Sequence, residues 1–492
     1  MNRAKECKLM GIVSIILAIA LLFSSCGSSE NKTTTDQTST SSAETGDQLV
    51  ECKYTERDLD GTYDESEATK VTLEDSYTIK EEGVYIFTGT LSDGQIIVEA
   101  DDSAKVQIVL DNVNITCSDG PAIYGVSADK IFVTLAEGTE NTLSDGSTYS
   151  SAEDQPWGCL FSTTDLTING SGKLTVNGNY NNGIVSKDDL RITGGTIDVE
   201  AVNNGLKGRD SVGIYDGTIN ITAYNDGIKS NNDEEEGKGY VSIDGGAVNI
   251  QGVTSQGIQG AKVVQLVSGA LTIDSENEGI ESPIIYISGT KSTISASDDG
   301  LNASSSTSSG EGMDAAEEGV YIKIIGGETN LSANGDGLDS NGDLYISGGT
   351  TIVNGPTSGG DGALDYAGTG EITGGTIIAI GASQMAQSFG SGSTQGVIMN
   401  NSVSGSSGDT VALLDSDGNQ LATMTSTINF TSVVISAPDM TSGSTYTLQV
   451  GSSSTDITLT DTITTIGGSS MGGGTPGGNM GGSPGGNSPG GF

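Results

Sequence analysis

The sequence predicts an all-β chain. Its main body is a right-handed parallel β-helix of about 22 residues per rung, with three short strands in each, and a small C-terminal β module follows. Three observations lead there. A Gly-Ile/Leu step (Gly-Ala in the last copy), usually behind Asn, Asp or Glu, recurs from Gly183 to Gly362 with glycine spacings of 22, 22, 30, 22, 21, 37 and 25. A fixed period of this size marks one structural unit stacked on itself. Aliphatic residues alternate within each period, the pattern of half-buried strands. Glycine is abundant at 74 residues, and Ser and Thr are plentiful, a composition that disfavours helix.

The period Gly183 to Asn204 shows the plan. Leu190/Ile192 and Ile197/Val199 alternate as strands, and Gly194-Gly195 and Asn204-Gly205 supply bends expected to need positive φ. Later copies give Val212/Ile214 with Ile219/Ile221, Val241/Ile243 with Val248/Ile250, Ile285/Ile287 with Ile294, and Leu344/Ile346 with Val353. Inward aliphatics stack on their copies, so the core runs along the axis. The right hand follows from the crossover rule, not from the spacing. Polar insertions at Ser230 to Gly239 and Ala303 to about Glu318 account for the two long intervals and should loop out near one corner. Looser strand runs at Gln95 to Val98, Val106 to Leu110, Lys130 to Leu135 and Leu166 to Val176 place the first rungs near residue 70. After residue 394 the repeat is lost. Short runs such as Thr410 to Leu414, Ser432 to Ile435 and Tyr446 to Val450, with a turn at Asp417-Gly418, form the module over 395–466.

The chain therefore divides into a signal peptide (1–25), a tether (26–48), the β-helix (49–394), the β module (395–466) and a Gly-rich tail (467–492). Arg3, Lys5 and Lys8 precede an apolar run from Leu9 to Phe23 that is short for a membrane span. Ser24-Ser25-Cys26-Gly27 resembles a bacterial lipoprotein box. On that resemblance Cys26 is the lipidated N-terminus, and the chain sits on the extracellular face of a bacterial cell membrane. An ordinary signal peptide with a chance Cys is the other reading. The tether and tail lack the apolar residues to build a core.

Lys plus Arg number 20 against 64 for Asp plus Glu, a net charge of -44. Phosphate binding needs a basic face, so nucleic acid is excluded as a partner and cations are expected. There is no histidine, which removes Ser-His-Asp and Cys-His catalysis and the commonest zinc ligand. The cysteines, Cys7, Cys26, Cys52, Cys117 and Cys159, form no CxxC. Cys117 and Cys159 read as lone buried thiols, with a disulfide as the alternative.

Residues one period apart lie about 4.8 Å apart in a parallel stack. The position before each repeat glycine forms the row Asn182, Asn204, Asp226, Gln256, Glu278, Asp299, Asp336 and Asp361. Two places after the glycine run Val185, Lys207, Lys229, Gln259, Glu281, Asn302, Asp339 and Leu364. Unit charges at that spacing repel by about 3.5 kcal/mol at an effective dielectric near 20. Something must offset the later carboxylates. Calcium, which takes six to eight oxygens, is expected on Asp226, Glu278, Glu281, Asp299, Asp336, Asp339, Asp361 and Asp365. The competing reading is that Asn-Gly and Asp-Gly only cap their own turns. The early Asn positions read as a neutral amide ladder.

A further outward row runs Arg191, Gly213, Ser242, Gln265, Tyr286, Lys323 and Tyr345. Its last three members, Tyr286, Lys323 and Tyr345, suit a polysaccharide, with rings on sugar faces and Lys323 on a uronate. Tyr is also common on any strand surface.

Taken together, the Ser-Ser-Cys box, rungs such as Asn225 to Ser230 and Gly335 to Ser340, turns such as Ile192 to Gly195, Ile346 to Gly349 and Ile372 to Gly375, and the Met-containing Gly-rich tail resemble the clostridial carbohydrate-binding β-helix family. The resemblance covers about Val71 to Ser391. It implies a pectate-lyase-like fold, bound calcium, and binding of cellulose or polygalacturonate-type chains without catalysis. Two alternatives stay open. One is a calcium-dependent lyase drawing its base from Lys207, Arg209 or Lys229. The other is a structural surface adhesin or spacer.

Overall fold

Alternating aliphatics become strands that stack in parallel on their own copies. In the computed structural model, which describes residues 48–149, 157–305 and 315–468, strand dominates. The one α-helix among these residues is a single turn, Glu56–Leu59. Cys26, the signal peptide, all but the last residue of the tether and most of the tail lie outside the described residues.

Each period supplies three strands, for example Asn182–Ser186, Asp189–Ile192 and Thr196–Ala201. Each pairs in parallel with its equivalent one period later, so Ile184 meets Leu206, Leu190 meets Val212 and Ile197 meets Ile219. The first strands of each period form a 12-stranded parallel sheet, here the narrow sheet. The second and third belong to a larger, mostly parallel sheet. One continuous core of Ile, Leu and Val runs along the stack. Towards its later layers the aliphatic row that includes Ile219 and Leu271 gives way to Ser292, Thr329 and Thr351, all buried.

Two kinds of glycine make the corners. Gly195 and its counterparts Gly217 and Gly246 have positive φ, as the Gly-Gly bend requires. The repeat glycine does not. A Cβ on Gly205 would lie 2.7 Å from the carbonyl oxygen of Gly227, and one on Gly227 2.5 Å from that of Gly257. The positive φ expected at Asn204-Gly205 is thus corrected: close approach of the next layer selects this glycine.

The last copy is also corrected. Leu338 pairs with Leu364 and Asp339 with Asp365. Ala363 therefore holds the repeat-glycine place, and Gly362, not Asp361, sits below Asp336.

The stack ends where pairing changes sense. Ser432–Ser436 runs antiparallel to Gly370–Gly381 and to Val397–Asn400, which closes an otherwise open edge. A four-stranded antiparallel sheet of Thr410–Leu414, Gln420–Thr425, Thr445–Val450 and Ser453–Thr458 follows, with its own apolar cluster.

An element without a periodic signal lies across the larger sheet. The segment Gln48 to Thr62 crosses the row Gln265, Ser242, Gly213, Arg191, Thr167, Phe132, Gln107 as a strap. Gln265 accepts from the amides of Leu49 and Val50 and donates to the Val50 carbonyl. The Arg191 Nε donates to the Lys53 carbonyl, and the Arg57 guanidinium lies 4.5 Å from the Phe132 ring centre. Asp58 is fully buried. It accepts from Thr55, which caps the helical turn, and from Thr167 at 2.6 Å, and it pairs with Lys130 at 2.8 Å. Cys52, Cys117 and Cys159 are free and buried.

Removing one member of a buried ion pair leaves the other charged and unpaired. Asp58→Ala should lower stability by about 3–5 kcal/mol, measured by denaturant unfolding. Asp58→Ala as stable as the parent would mean that the strap is not fixed to the sheet.

Candidate functional site

At the corner before five of the repeat glycines, the side-chain oxygen has a structural task. Asn182 Oδ1 accepts from the Asn204 amide N–H, Asn204 Oδ1 from that of Asp226, and Asp226 Oδ1 from that of Gln256. Asp299 Oδ1 accepts from the Asp336 amide at 2.7 Å, and Asp336 Oδ1 from that of Gly362. Each such oxygen thus ties its layer to the next. Among the early layers the amides also bond each other, Asn204 Nδ2 donating to Asn182 Oδ1 at 2.8 Å. For a carboxylate in this place, one oxygen is committed and the second remains.

The later layers use that second oxygen differently. Asp299, Asp336 and Asp339 bring carboxylate oxygens within 4.8 Å of one another. Beside them Asn302, one layer before Asp339 in the same row, donates from Nδ2 to Glu278 Oε1 at 2.8 Å. Its buried Oδ1 has no hydrogen-bond partner. Three carboxylates and an unpartnered amide oxygen form a hard, all-oxygen donor set that fits calcium.

The electrostatics fit as well. Burial, aided by neighbouring carboxylates, lifts the Asp299 carboxyl to about 6, that of Asp336 to about 7 and that of Asp339 to about 8. Burial also raises Glu278, with Glu281 adding to it, and raises Asp365, with Asp361 adding to it. A bound cation would supply the missing positive charge.

The remaining expected ligands are outside this 4.8 Å group, although the charges of Glu278 and Asp365 act on it. Asp226 is fully buried and pairs with Lys229 at 2.7 Å. Glu278 Oε2 accepts from Gln256, Glu281 from Gln259 at 2.8 Å, and Asp365 from Gln387. Asp361 stands outside the row through the register shift, although its charge acts on Asp299 and Asp336. The missed signal was Lys229, three residues after Asp226. It places an ammonium where a cation was expected.

The expected sugar row is in register: Tyr286 lies beside Lys323, and Lys323 beside Tyr345. Tyr286, however, is only 6% exposed, so it is not the open ring that stacking on a sugar requires. The strap reaches Gln265 and packs Val50 in a cluster with Ile284 at this place. Lys323 and Tyr345 are half-buried, and the Tyr345 hydroxyl donates to Asp343 at 2.8 Å. The roots of the two insertions meet at a cavity of about 190 Å³ lined by Asn231, Asp233, Gln259, Glu281 and Ser304.

Comparison with known proteins places this geometry in context. The family described as "Carbohydrate-binding domain-containing protein" matches residues 73–362. A protein of Acetivibrio thermocellus with that same description is 53% identical over 176 residues, 35% of this chain and 62% of the relative. The match therefore spans less than two thirds of that relative's length. A solved structure described as the polysaccharide lyase-like protein from C. thermocellum, gadolinium derivative, is 36% identical. It covers 48% of this chain and 95% of its own, at a TM-score of 0.39.

Without a cation, the three carboxyls keep protons that an ordinary carboxyl releases near 3.8. Their contribution to stability is then full below that value and is lost as pH rises through about 6 to 8. In EDTA the unfolding temperature should fall over that window, and calcium should restore it. Asp299→Asn combined with Asp336→Asn and Asp339→Asn keeps the Oδ1 acceptors and should abolish both effects. Calorimetry showing no calcium response at pH above about 8 would remove the metal from this corner.

Proposed function

The chain belongs to the family of carbohydrate-binding domain-containing proteins, and from that membership we propose that it is a non-catalytic polysaccharide binder. In this reading the stack is a right-handed parallel β-helix, held at its acidic corner by calcium, and the glycan is of the cellulose or polygalacturonate class. Ser24-Ser25-Cys26 supports a lipid anchor at Cys26, with the protein on the extracellular face of a bacterial membrane. The β-helix then occupies 49–394 and the small β module 395–466.

The observation that carries the reading is the extent of the family match. Residues 73–362 take in nearly the whole stack, including Asp299, Asp336, Asp339 and Asn302. A lyase would need a base within reach of the proton that the cation acidifies. Lys229 and Arg209 do not meet that condition. In the row Lys229, Gln259, Glu281, Asn302, Asp339, four layer steps separate Lys229 from Asp339, about 20 Å at the spacing of parallel strands. Lys229 is paired with Asp226, and Arg209 with Asp210 and Glu235.

The test is sedimentation of the protein with insoluble and acidic polysaccharides, with and without EDTA, alongside absorbance of unsaturated products from polygalacturonate. Binding without product absorbance is expected, and weaker binding in EDTA. Product formation with calcium would make the protein a lyase. Absence of binding to every glycan would leave a structural spacer.

A further inference from the structure

The outward positions of the narrow sheet change character along the stack. In register they run Tyr124, Phe161, Val185, Lys207, Lys229 and Gln259, before the acidic layers begin. The first end is aromatic. Tyr124 and Phe161 meet edge to face at 5.8 Å with Phe161 buried, and Trp157 has 43% of its surface exposed. The Lys187 ammonium lies 5.7 Å from the Trp157 ring centre and 5.8 Å from that of Phe161.

The lysines that follow are unusual for this chain. The protein carries a net charge of -44, so basic side chains have carboxylates to spare. Lys229 takes Asp226 at 2.7 Å. Lys207, in the adjoining layer, is half-buried and makes no ion pair or side-chain hydrogen bond among the described residues. Burial and the nearby Lys229 charge push its ammonium below the usual range. Lys187 likewise has no carboxylate partner among the described residues. Asp226 is taken by Lys229, so Lys207 has no carboxylate of its own and favours an anion from outside the chain.

We infer that the strip formed by Trp157, Lys187 and Lys207 on the outer face of the narrow sheet docks an acidic polysaccharide, its uronate carboxylates on the lysines and a sugar ring on Trp157. This rests on the proposal that the protein binds glycans, and it moves the contact to a different face from the row of Tyr286, Lys323 and Tyr345. Aromatic faces suit the apolar C–H side of a pyranose. Lys187 and Lys207 belong to adjoining periods and offer two ammoniums to the carboxylates that recur along such a polymer. A neutral glucan has no carboxylate for Lys207, so the strip selects acidic chains. The calcium corner lies further along the stack and has the opposite charge.

The chain has a single tryptophan, so its fluorescence reports on this strip alone. In calcium buffer, oligogalacturonate should shift the Trp157 emission saturably, and rising salt should weaken the titration. Lys207→Gln should bind at least tenfold more weakly while Lys207→Arg stays near the parent. Lys187→Gln should lose several-fold, a second variant that keeps the test independent of folding at Lys207. Methyl-esterified oligomers should leave the emission unchanged. If the parent sediments with polygalacturonate but its emission does not move, or if both Gln variants bind within twofold of the parent, the strip is not the site. If the parent binds no glycan by any readout, both the strip and the wider reading fall.

Discussion

In-register parallel stacking is the constraint on which the rest depends. Every side chain at a given place in the period lies one strand spacing, about 4.8 Å, from its copy. Aliphatics then reinforce each other as a continuous core. The repeat glycine is compulsory because the next layer's carbonyl occupies the space of a Cβ. Asn and Asp before it are favoured because one side-chain oxygen caps the next layer's amide. The same rule makes like charges neighbours, and the protein answers that problem in two ways. Lys229 neutralises Asp226 from inside the chain. Asp299, Asp336 and Asp339 are brought together without an ion pair among the described residues.

This rule also explains what could be read before any coordinates. Period and alternation gave the three strands of each layer, and they gave the row Arg191, Gly213, Ser242, Gln265, Tyr286, Lys323, Tyr345 residue by residue. Periodicity fails where contacts are not periodic. It overlooked that Lys229 folds back on Asp226. It placed Asp361 in the row because a one-residue slip in the last copy leaves the Asp-Gly pair intact in sequence. It took the repeat glycine for a residue chosen by φ, since a clash between layers has no local signature. The strap from Gln48 to Thr62 is not part of the repeat, and its contacts lie from 45 to 216 residues away.

Opposite ends of one row thus carry opposite chemistry. The narrow sheet goes from aromatic to basic to amide to acidic along a single line of outward positions. Each zone is only a few layers long. A repeat architecture permits this because each layer contacts chiefly its neighbours, so a substitution in one layer need not disturb a site several layers away. The amides at Gln256 and Gln259 lie between the lysines and the carboxylates. They donate to the first carboxylates of the acidic zone, Gln256 to Glu278 and Gln259 to Glu281.

The strap gives the molecule a mechanical axis. The chain passes Gln265, runs along the outer face to Gln107, and only then enters the stack at Thr69–Thr72. A force pulling on the chain ahead of Gln48 meets the bonds at Gln265, Arg191 and Asp58 before it reaches that first strand. Because these bonds are spread over successive layers, the load is distributed among them as shear. Unzipping from the first layer, which would break one layer at a time, has to wait until the strap has given way.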